Sequence, residues 1–394
     1  MRVIGLMSGT SHDAVDAAAA ELTLQGDSLL LEPLGMVSEA YPDDLRTALA
    51  AALPPAPTTM RDVCRLDTRI GQAFAALAAR ADRELCDGRA ELVVSHGQTV
   101  YHWVEHGRVH GTLQIGSPAW IAEATGCPVV SDLRTRDVTA GGQGAPLVSI
   151  IDLMWLRDRP GVPAALNLGG IANLTVAGAA GDPVAFDTGP ANALIDAAVH
   201  AFTDGRQDYD RDGVLAARGS VDAALLRRLL DEPYYAKPPP KTTGKELFHW
   251  PYLRDVLADR DRLPAEDVVA TVTQLTARTV ADAVRSAGAS EVIASGGGTR
   301  NPTLMALLRA ELRDIPLRTS DELGMPSAAK EAYAFAVLGF LTVHGLPGTV
   351  PACTGARHSS VLGSITPGRR GLRLPEPAAA PPLRLRLRLR PLPR

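Results

Sequence analysis

The 394-residue chain is longer than one hydrophobic core usually supports, so two domains are expected. Apolar residues make up 46% of the chain and charged residues 21%, a composition typical of a globular protein that can bury a core. The net charge of −4 is uneven, because residues 369–394 carry eight arginines against one glutamate and the remaining body is strongly acidic. An acidic body argues against a nucleic-acid enzyme.

The cysteines and the apolar runs indicate where the protein works. The four cysteines lie far apart and form no C-x-x-C pair, so we expect reduced thiols at Cys64, Cys86, Cys127 and Cys353. The sequence predicts no signal peptide, and its longest apolar run, residues 332–343, is too short to span a bilayer. We therefore expect a cytoplasmic protein without membrane insertion.

The chain opens with a predicted strand, a turn of small residues and a return strand. The first strand covers residues 2–7, and the small residues 8–11 offer N–H and hydroxyl groups that can surround an anion. Asp13 and Asp16 follow, and such acids tolerate a phosphate group only with Mg²⁺ or ordered water between them. Residues 15–24 form the return strand. No Walker motif occurs, and an ordinary hairpin turn would also have small residues here.

Helical and strand periodicities alternate along the rest of the chain, as in an α/β fold. Helices are predicted over residues 43–53, 61–85, 117–125, 145–157, 192–202, 267–287 and 327–342. Strands are predicted over residues 91–94, 128–131, 164–168, 171–176, 184–186 and 291–294. The opening pattern of hairpin, strand and helix recurs from residue 164, which predicts two like domains facing one cleft, connected by the helix over 145–157.

Polar residues follow two strands of the first half, at the ends where ligands bind in open α/β sheets. His96, Gln98 and Thr99 follow one strand; a lone histidine is more often structural, but the cluster favours ligand contact. Arg134 follows the next strand and precedes three glycines within residues 141–144. These glycines indicate a backbone that is closely approached, or a mobile loop.

Similar strand ends recur in the second half. Asp187 follows a strand, and the N-terminus of the next helix would help to keep it ionised, although a turn or N-cap aspartate is the alternative. Gly169 and Gly170 form the bend of the second hairpin. Three glycines at 296–298, before Asn301, suit the flat approach of an adenine or ribose, although a plain strand-to-helix loop fits equally.

The C-terminal residues 369–394 are rich in proline and low in complexity. Their Leu/Arg alternation could form a strand, but the flanking prolines favour a disordered extension. We expect its removal after Gly368 to leave folding and activity intact. Contact with an anionic surface is an alternative role for its charge.

Nine stretches, taken in order over residues 1–368, resemble one family, the anhydro-N-acetylmuramic acid kinases of the actin-like sugar-kinase superfamily. They are MSGTSHDAVD, SHGQTV, DLRTRDVTAGGQGAPLV, LNLGGIANLTV, FDTGPANALIDA, PKTTGKELF, ASGGGTRNPTLM, DELGMPSAAKEAYAF and TGARHSSVLGSITPG. The resemblance implies two actin-like (ribonuclease H-like) α/β domains, at 1–145 and 146–345, flanking a nucleotide and sugar cleft. A closing segment would follow at 346–368, and the tail at 369–394 lies outside the resemblance.

The resemblance also implies an activity, the ATP-dependent opening of 1,6-anhydro-N-acetylmuramic acid with water to give the 6-phosphate in peptidoglycan recycling. O6 of this sugar is an ether oxygen, so water must add at C1 while O6 takes the γ-phosphoryl group. Such a site needs a carboxylate base, a phosphate cradle and Mg²⁺. The expected cofactors are ATP and Mg²⁺. The expected partner is the small sugar, with no nucleic acid, and a homodimer stays open.

Site residues follow from the resemblance by position. The catalytic residues would be Asp187, as the base, and Glu331, which would face the sugar. The sugar-binding residues would be His96, Gln98, Thr99, Arg134 and Asp187. ATP and its phosphates would contact Gly9, Thr10, Ser11, His12, Asp13, Ala14, Val15, Asp16, Gly169, Gly170, Gly296, Gly297, Gly298 and Asn301, with Asp13 at the metal.

Two positions depart from the family pattern, since Ala14 and Ala191 stand where the family usually has glycine. A positive φ at either position would now be strained.

Three other functions stay open. They are a conventional hydroxyl sugar kinase on the same fold, a glycoside-opening hydrolase without kinase activity, and a non-catalytic actin-like ATP-binding or filament protein. The polar clusters at the strand ends argue against the last of these.

Overall fold

The computed structural model describes residues 1–9, 12–54, 56–106, 108–178, 182–239, 241–244, 247–258 and 263–388. The chain divides into two units. The first combines Met1–Arg157 with Ala329–Arg394, and the second is the continuous segment Asp158–Ala328. The second unit is therefore inserted between two segments of the first.

Strands and helices alternate along the chain. The strands are β1 (Arg2–Met7), β2 (Ala14–Gln25), β3 (Ser28–Ala40), β4 (Leu92–Ser95), β5 (Gln98–Glu105), β6 (Arg108–Ile115), β7 (Val129–Ser131), β8 (Pro163–Leu168), β9 (Ile171–Val176), β10 (Val184–Pro190), β11 (Glu291–Ser295), β12 (Leu317–Thr319), β13 (Ser364–Thr366) and β14 (Arg384–Leu387). The α-helices are α1 (Asp43–Ala52), α2 (Met60–Leu85), α3 (Pro118–Thr125), α4 (Thr135–Thr139), α5 (Ser149–Leu156), α6 (Asn192–Phe202), α7 (Val214–Arg218), α8 (Ala223–Leu230), α9 (Trp250–Leu257), α10 (Ala265–Ser286), α11 (Pro302–Leu312), α12 (Lys330–Val343) and α13 (Pro351–Thr354).

The first unit is built on a seven-stranded sheet in the order β13-β7-β4-β1-β2-β3-β14. β1, β2 and β3 form an antiparallel meander, while β4 runs parallel to β1 and β7 runs parallel to β4. The central strands are buried on both faces, which explains their nearly continuous apolar sequences. A separate two-stranded hairpin joins β5 to β6.

The second unit repeats this arrangement in a five-stranded sheet in the order β10-β9-β8-β11-β12. β8, β9 and β10 form the antiparallel meander, and β11 runs parallel to β8 and to β12. Counted along the chain, the first five strands of each large sheet lie in the same order, third, second, first, fourth and fifth. This shared topology confirms the prediction of two like α/β domains.

Helix α12 covers one face of the first sheet and packs very closely on β1. Its residues from Ala332 to Val343 are all buried. At Gly5 of β1 an added Cβ would overlap the carbonyl oxygen of Ala332, so only glycine allows this approach. Because α12 packs here, it belongs to the first unit, which differs from the predicted second domain at 146–345.

The helix predicted over 145–157 starts later than expected, at Ser149. Gly144 explains the delay, because its N–H and its carbonyl are bound to side chains of Asp137 and Arg134. These two bonds hold the preceding chain in a loop conformation.

Part of the C-terminal tail is ordered, so the prediction of a disordered extension is wrong for β14. This strand pairs parallel with β3, with Arg384 opposite Ser28. Leu385 is only 4% exposed, whereas the neighbouring Arg386 faces solvent. The open edge of β3 provides hydrogen-bond partners, and alternation places leucine inward and arginine outward.

Candidate functional site

The strand ends of the first unit bring two predicted motifs together. β1 and β4 are parallel neighbours with Leu6 opposite Ser95, so their carboxyl ends lie at the same edge of the sheet. Beyond these ends the Ser8 hydroxyl lies 2.8 Å from Oε1 of Gln98, whose Nε2 donates to the carbonyl oxygen of Gly9 at 3.2 Å. Gln98 is fully buried. Its side chain therefore holds the predicted phosphate loop in place.

The predicted phosphate loop continues with two residues, Thr10 and Ser11, that lie outside the described part of the chain. His12 has a φ of 58°, and its Nδ1 lies 3.4 Å from the carbonyl oxygen of Gly9. Asp13 is exposed, and its Oδ1 accepts a hydrogen bond from the next main-chain N–H at 3.0 Å. An exposed carboxylate at this point can reach a metal ion or its bound water.

The last residues of the loop lie in β2, where Val15 and Asp16 have different surroundings. Val15 is buried in the hydrophobic core. Asp16 accepts a hydrogen bond from the Ser38 hydroxyl at 2.6 Å. Of Val15 and Asp16, only Asp16 therefore offers a polar side chain near the loop.

His96 is buried and is bound to Arg134. Nε of Arg134 donates to Nε2 of His96 at 3.0 Å, and Nδ1 of His96 lies 2.8 Å from the carbonyl oxygen of Gly97. Since Nε2 accepts, Nδ1 must carry the proton and the ring is neutral. Burial, together with the charge of Arg134, holds the pKa of His96 well below its usual value. His96 thus orients the guanidinium of Arg134.

Asp137 explains the glycine cluster that follows it. Its buried carboxylate accepts the N–H of Gly144 at 2.8 Å and the hydroxyl of Thr354 at 2.7 Å. A side chain at Gly142 would overlap this carboxylate. The closely approaching group at Gly142 is therefore an internal aspartate, whereas Gly141 is approached by Arg357 and Gly144 by Val138.

Glu331 lies in the first turn of α12 among several charges. Burial raises its pKa, with Asp16 and Asp152 acting in the same direction, while Lys330 and Arg134 oppose the shift. Burial also lowers the pKa of Arg134 to about 10, and Glu331 opposes that shift. Beside them, Nζ of Lys330 lies 2.6 Å from Oδ1 of Asp152 in a buried ion pair. Glu331 and Arg134 thus each favour the charged form of the other at the first-unit site.

Thr99 lies on the polar face of the β5–β6 hairpin. Its hydroxyl accepts a hydrogen bond from Nε2 of Gln114 at 3.2 Å. Nε2 of Gln114 also donates to the hydroxyl of Thr112 at 2.8 Å. The predicted sugar-binding residues of the first unit therefore divide into the buried pair His96 and Gln98 and the half-buried pair Thr99 and Arg134.

In the second unit, Asp187 lies within β10 and is held by a neighbouring loop. Its Oδ2 accepts the N–H of Thr243 at 2.9 Å, and its own N–H donates to the carbonyl oxygen of Lys241 at 3.0 Å. Its carbonyl oxygen accepts the hydroxyl of Tyr234 at 2.7 Å. The N-cap of α6 is Ala191, so Asp187 does not serve as that cap.

Gly169 and Gly170 bind the start of α6 through their carbonyl oxygens. The oxygen of Gly169 accepts the N–H of Asn192 at 3.0 Å, and that of Gly170 accepts those of Ala191 and Ala193 at 2.9 Å. These hydrogen bonds satisfy N–H groups that the helix itself cannot pair. The bend of the second hairpin is therefore fastened to α6.

The glycine triplet after β11 has mixed surroundings. Gly296 and Gly298 pack so closely on Leu168 that a Cβ would overlap it. Gly297 is exposed and faces open space. Asn301 accepts a main-chain N–H of the first turn of α11 at 3.0 Å and so caps that helix. Only Gly297 of these residues offers a flat surface to a ligand.

Neither of the two departures from the family pattern has a positive φ. Ala191 has a φ of −111°, and Ala14, in β2, is not among the residues with positive φ. The positive φ that would strain alanine is therefore not adopted at either position.

Sequence reasoning missed Asp152 and Tyr234. For Asp152 a signal existed, because it is the lone acid in the apolar helix SIIDLMWL, and a buried acid needs a partner. For Tyr234 no local pattern indicates that its hydroxyl contacts Asp187.

Among the residues described above, no group of three or more His, Cys, Asp or Glu side chains is placed to hold a metal ion. Within the same ranges, no helix is long and apolar enough to cross a membrane.

Comparison with known proteins gives consistent matches over nearly the whole chain. A relative from Streptomyces avermitilis, named anhydro-N-acetylmuramic acid kinase, is 72% identical and covers 98% of this chain and 99% of its own. A relative of the same name from Rhodococcus erythropolis is 64% identical and covers 94% and 96%. Among solved structures, the activator of the 2-hydroxyisocaproyl-CoA dehydratase from Clostridium difficile is 12% identical, with a TM-score of 0.42 over 86% and 94% of the two chains, too low to bear on function.

The family model described as anhydro-N-acetylmuramic acid kinase matches residues 1–368. This match contains every predicted site residue of both units. The chain therefore belongs to the anhydro-N-acetylmuramic acid kinase family and is a phosphotransferase.

Proposed function

We propose that this protein opens 1,6-anhydro-N-acetylmuramic acid with water and transfers the γ-phosphoryl group of ATP to O6, giving N-acetylmuramic acid 6-phosphate for peptidoglycan recycling. The observation that carries the proposal is the placement of Asp187. Its carboxylate lies within a strand, does not cap α6, and accepts a main-chain N–H that fixes its direction.

The reaction needs one proton to be removed from the attacking water. In the proposed step, the water oxygen bonds to C1, the C1–O6 bond breaks, and Asp187 takes the proton. O6 then bonds to the γ-phosphorus as the bond to the ADP oxygen breaks. General-base catalysis of this kind typically contributes about 10²- to 10⁴-fold.

The first unit supplies the groups proposed to bind the sugar. The substrate carries a carboxylate in its lactyl group, and Arg134 provides a guanidinium whose direction is fixed by His96 and by the carbonyl of Gly144, 2.6 Å away. Thr99 offers a hydroxyl for the sugar. Glu331 is proposed to accept hydrogen bonds from it.

The phosphates of the nucleotide are assigned to the loop of residues 9–16 in the first unit. Mg²⁺ is usually held by one or two carboxylates together with substrate phosphates, and exposed Asp13 fits that donor set. When bound, the ion would neutralise charge on the transferring phosphoryl group. In this assignment Gln98 keeps the loop in position from beneath.

ATP consumption with three sugars tests the proposal. The anhydro sugar should support turnover, and the product should be heavier by one phosphoryl group and one water. N-acetylmuramic acid and glucose should not support turnover. Equal consumption with either of these would instead assign the protein as a conventional hydroxyl sugar kinase, and ring opening without ATP would assign it as a hydrolase.

We further propose that the enzyme works in the cytoplasm. The four cysteines are free thiols, and three are buried, which agrees with a reducing compartment.

A further inference from the structure

Asp187 is held through its main chain as well as through its carboxylate. Its N–H and its carbonyl oxygen are bound to Lys241 and Tyr234 respectively, at 3.0 and 2.7 Å. Because β10 is an edge strand of its sheet, these contacts replace the partner strand that it lacks on that side. They lie next to a bulge between Asp187 and Gly189, where the regular register is broken.

Tyr234 and Lys241 also bind each other. Nζ of Lys241 donates to the carbonyl oxygens of Tyr234 and Tyr235, at 3.3 and 3.0 Å, and lies 4.8 Å from the centre of the Tyr234 ring. Tyr234 itself is 2% exposed and packs edge-on to Phe248 in the core. One side of this network is therefore anchored in the core and the other side is the loop that donates to Asp187.

We propose that Tyr234 is a positioning residue for Asp187, acting with Lys241 to fix the main chain that aims the carboxylate. The proposal rests on the role of Asp187 as the general base. Without the Tyr234 hydroxyl, the carbonyl oxygen of Asp187 loses a side-chain donor that is anchored in the core. The hydrogen bond from Thr243 alone then no longer fixes the position of the carboxylate. A misplaced base lowers kcat without weakening the binding of the substrates.

The neighbouring Tyr235 provides a matched control. It lies in the same cluster, stacks on Phe248, and has a buried hydroxyl with no hydrogen-bond partner among the described residues. Tyr235→Phe therefore removes the same atom from the same part of the core without touching Asp187. Both variants keep the ring and the carbonyl oxygen that Lys241 binds.

The test compares Tyr234→Phe, Tyr235→Phe and Asp187→Asn in the full chain. Tyr234→Phe should lower kcat with the anhydro sugar by about ten- to hundredfold, with KM for both substrates nearly unchanged. Tyr235→Phe should retain wild-type kcat. The double variant of Tyr234→Phe with Asp187→Asn should be no slower than Asp187→Asn alone, because the positioned group is already gone.

A second readout does not depend on turnover. In protein labelled with ¹³C at aspartate carboxyls, the signal lost in Asp187→Asn identifies Asp187. This signal should move in Tyr234→Phe and stay in place in Tyr235→Phe. An unmoved signal, or an unchanged kcat, would overturn the positioning role. A wild-type protein inactive on the anhydro sugar would instead refute the proposed function, and the carbon signal would still decide the positioning.

Discussion

Arg134 donates from Nε to Nε2 of His96 across 3.0 Å, which makes the buried histidine an acceptor toward a half-buried cation. A protonated His96 would have no acceptor to offer and would place two positive charges side by side. Burial and Arg134 therefore both hold the pKa of His96 well below its usual value. Protonation of His96 would therefore release Arg134, the side chain proposed to bind the substrate carboxylate, from its fixed orientation.

This coupling predicts that the protein loses stability in mild acid. Below about pH 6.5, His96 takes up a proton in the unfolded chain but not in the folded one. The free energy of unfolding should therefore fall as pH drops through that value, by up to about 1.4 kcal/mol per pH unit from this residue. Denaturant unfolding of His96→Gln should show a flatter pH dependence, while the exposed control His358→Gln should follow wild type. If the unfolding free energy of His96→Gln depended on pH as strongly as that of wild type, the role of His96 in the pH dependence would be contradicted.

The raised pKa of Glu331 predicts a contribution to stability that changes with pH in the opposite direction. Burial raises its pKa in the folded protein, so the unfolded chain releases this proton first as pH rises. Its contribution to stability is present below the usual glutamate pKa and is lost as pH rises through the raised one. Glu331→Gln should thus gain in thermal midpoint relative to wild type toward neutral pH, while kcat falls. The exposed Glu376→Gln should change neither quantity; equal midpoints for Glu331→Gln and wild type at all pH values would exclude the effect.

The Lys330 and Asp152 pair predicts a non-additive effect on stability. Asp152→Asn keeps the shape but leaves the buried ammonium of Lys330 without its carboxylate, which should cost about 3 kcal/mol. Adding Lys330→Met removes both charges and should recover a substantial part of that loss. Unfolding in denaturant measures both. A double variant as unstable as the sum of the two single ones would show that the charges are independent.

The ordered tail predicts that truncation is harmful. Cutting after Gly368 removes β14 and leaves the N–H and carbonyl groups along β3 unpaired, which promotes association between copies. Leu385→Asp should have a similar effect because it places a charge at a site that is 4% exposed. Arg386→Asp, on the solvent side of the same strand, is the control. Size-exclusion chromatography should show aggregates for the first two proteins only, and monodisperse truncated protein would contradict the role of β14.

Local pattern predicted most elements well, because their signals are local. The helix predicted over 192–202 and the hairpin around Gly169 and Gly170 depend on periodicity and turn chemistry that a single segment carries. The tail shows where this reasoning stops. Its alternation could not by itself select a strand, since the edge of β3 that stabilises it lies more than three hundred residues away in sequence.

The candidate site shows the same difference between features that one segment encodes and features that depend on distant contacts. Residue types at strand ends made His96, Arg134 and Asp187 candidate site residues, and their contact with a ligand stays a prediction. Whether a side chain faces a ligand or supports a neighbour depends on tertiary contacts. Gln98 looks like a ligand contact in sequence, yet its polar atoms bind Ser8 and Gly9 of the neighbouring loop.

The insertion of the second unit sets an order for synthesis on the ribosome. β1 emerges first, but α12, which packs on it at Gly5, follows more than three hundred residues later. The continuous segment Asp158–Ala328 can complete its sheet before the first unit has its covering helix. The nascent first unit therefore spends most of translation with an apolar sheet face uncovered, a state that is prone to aggregation.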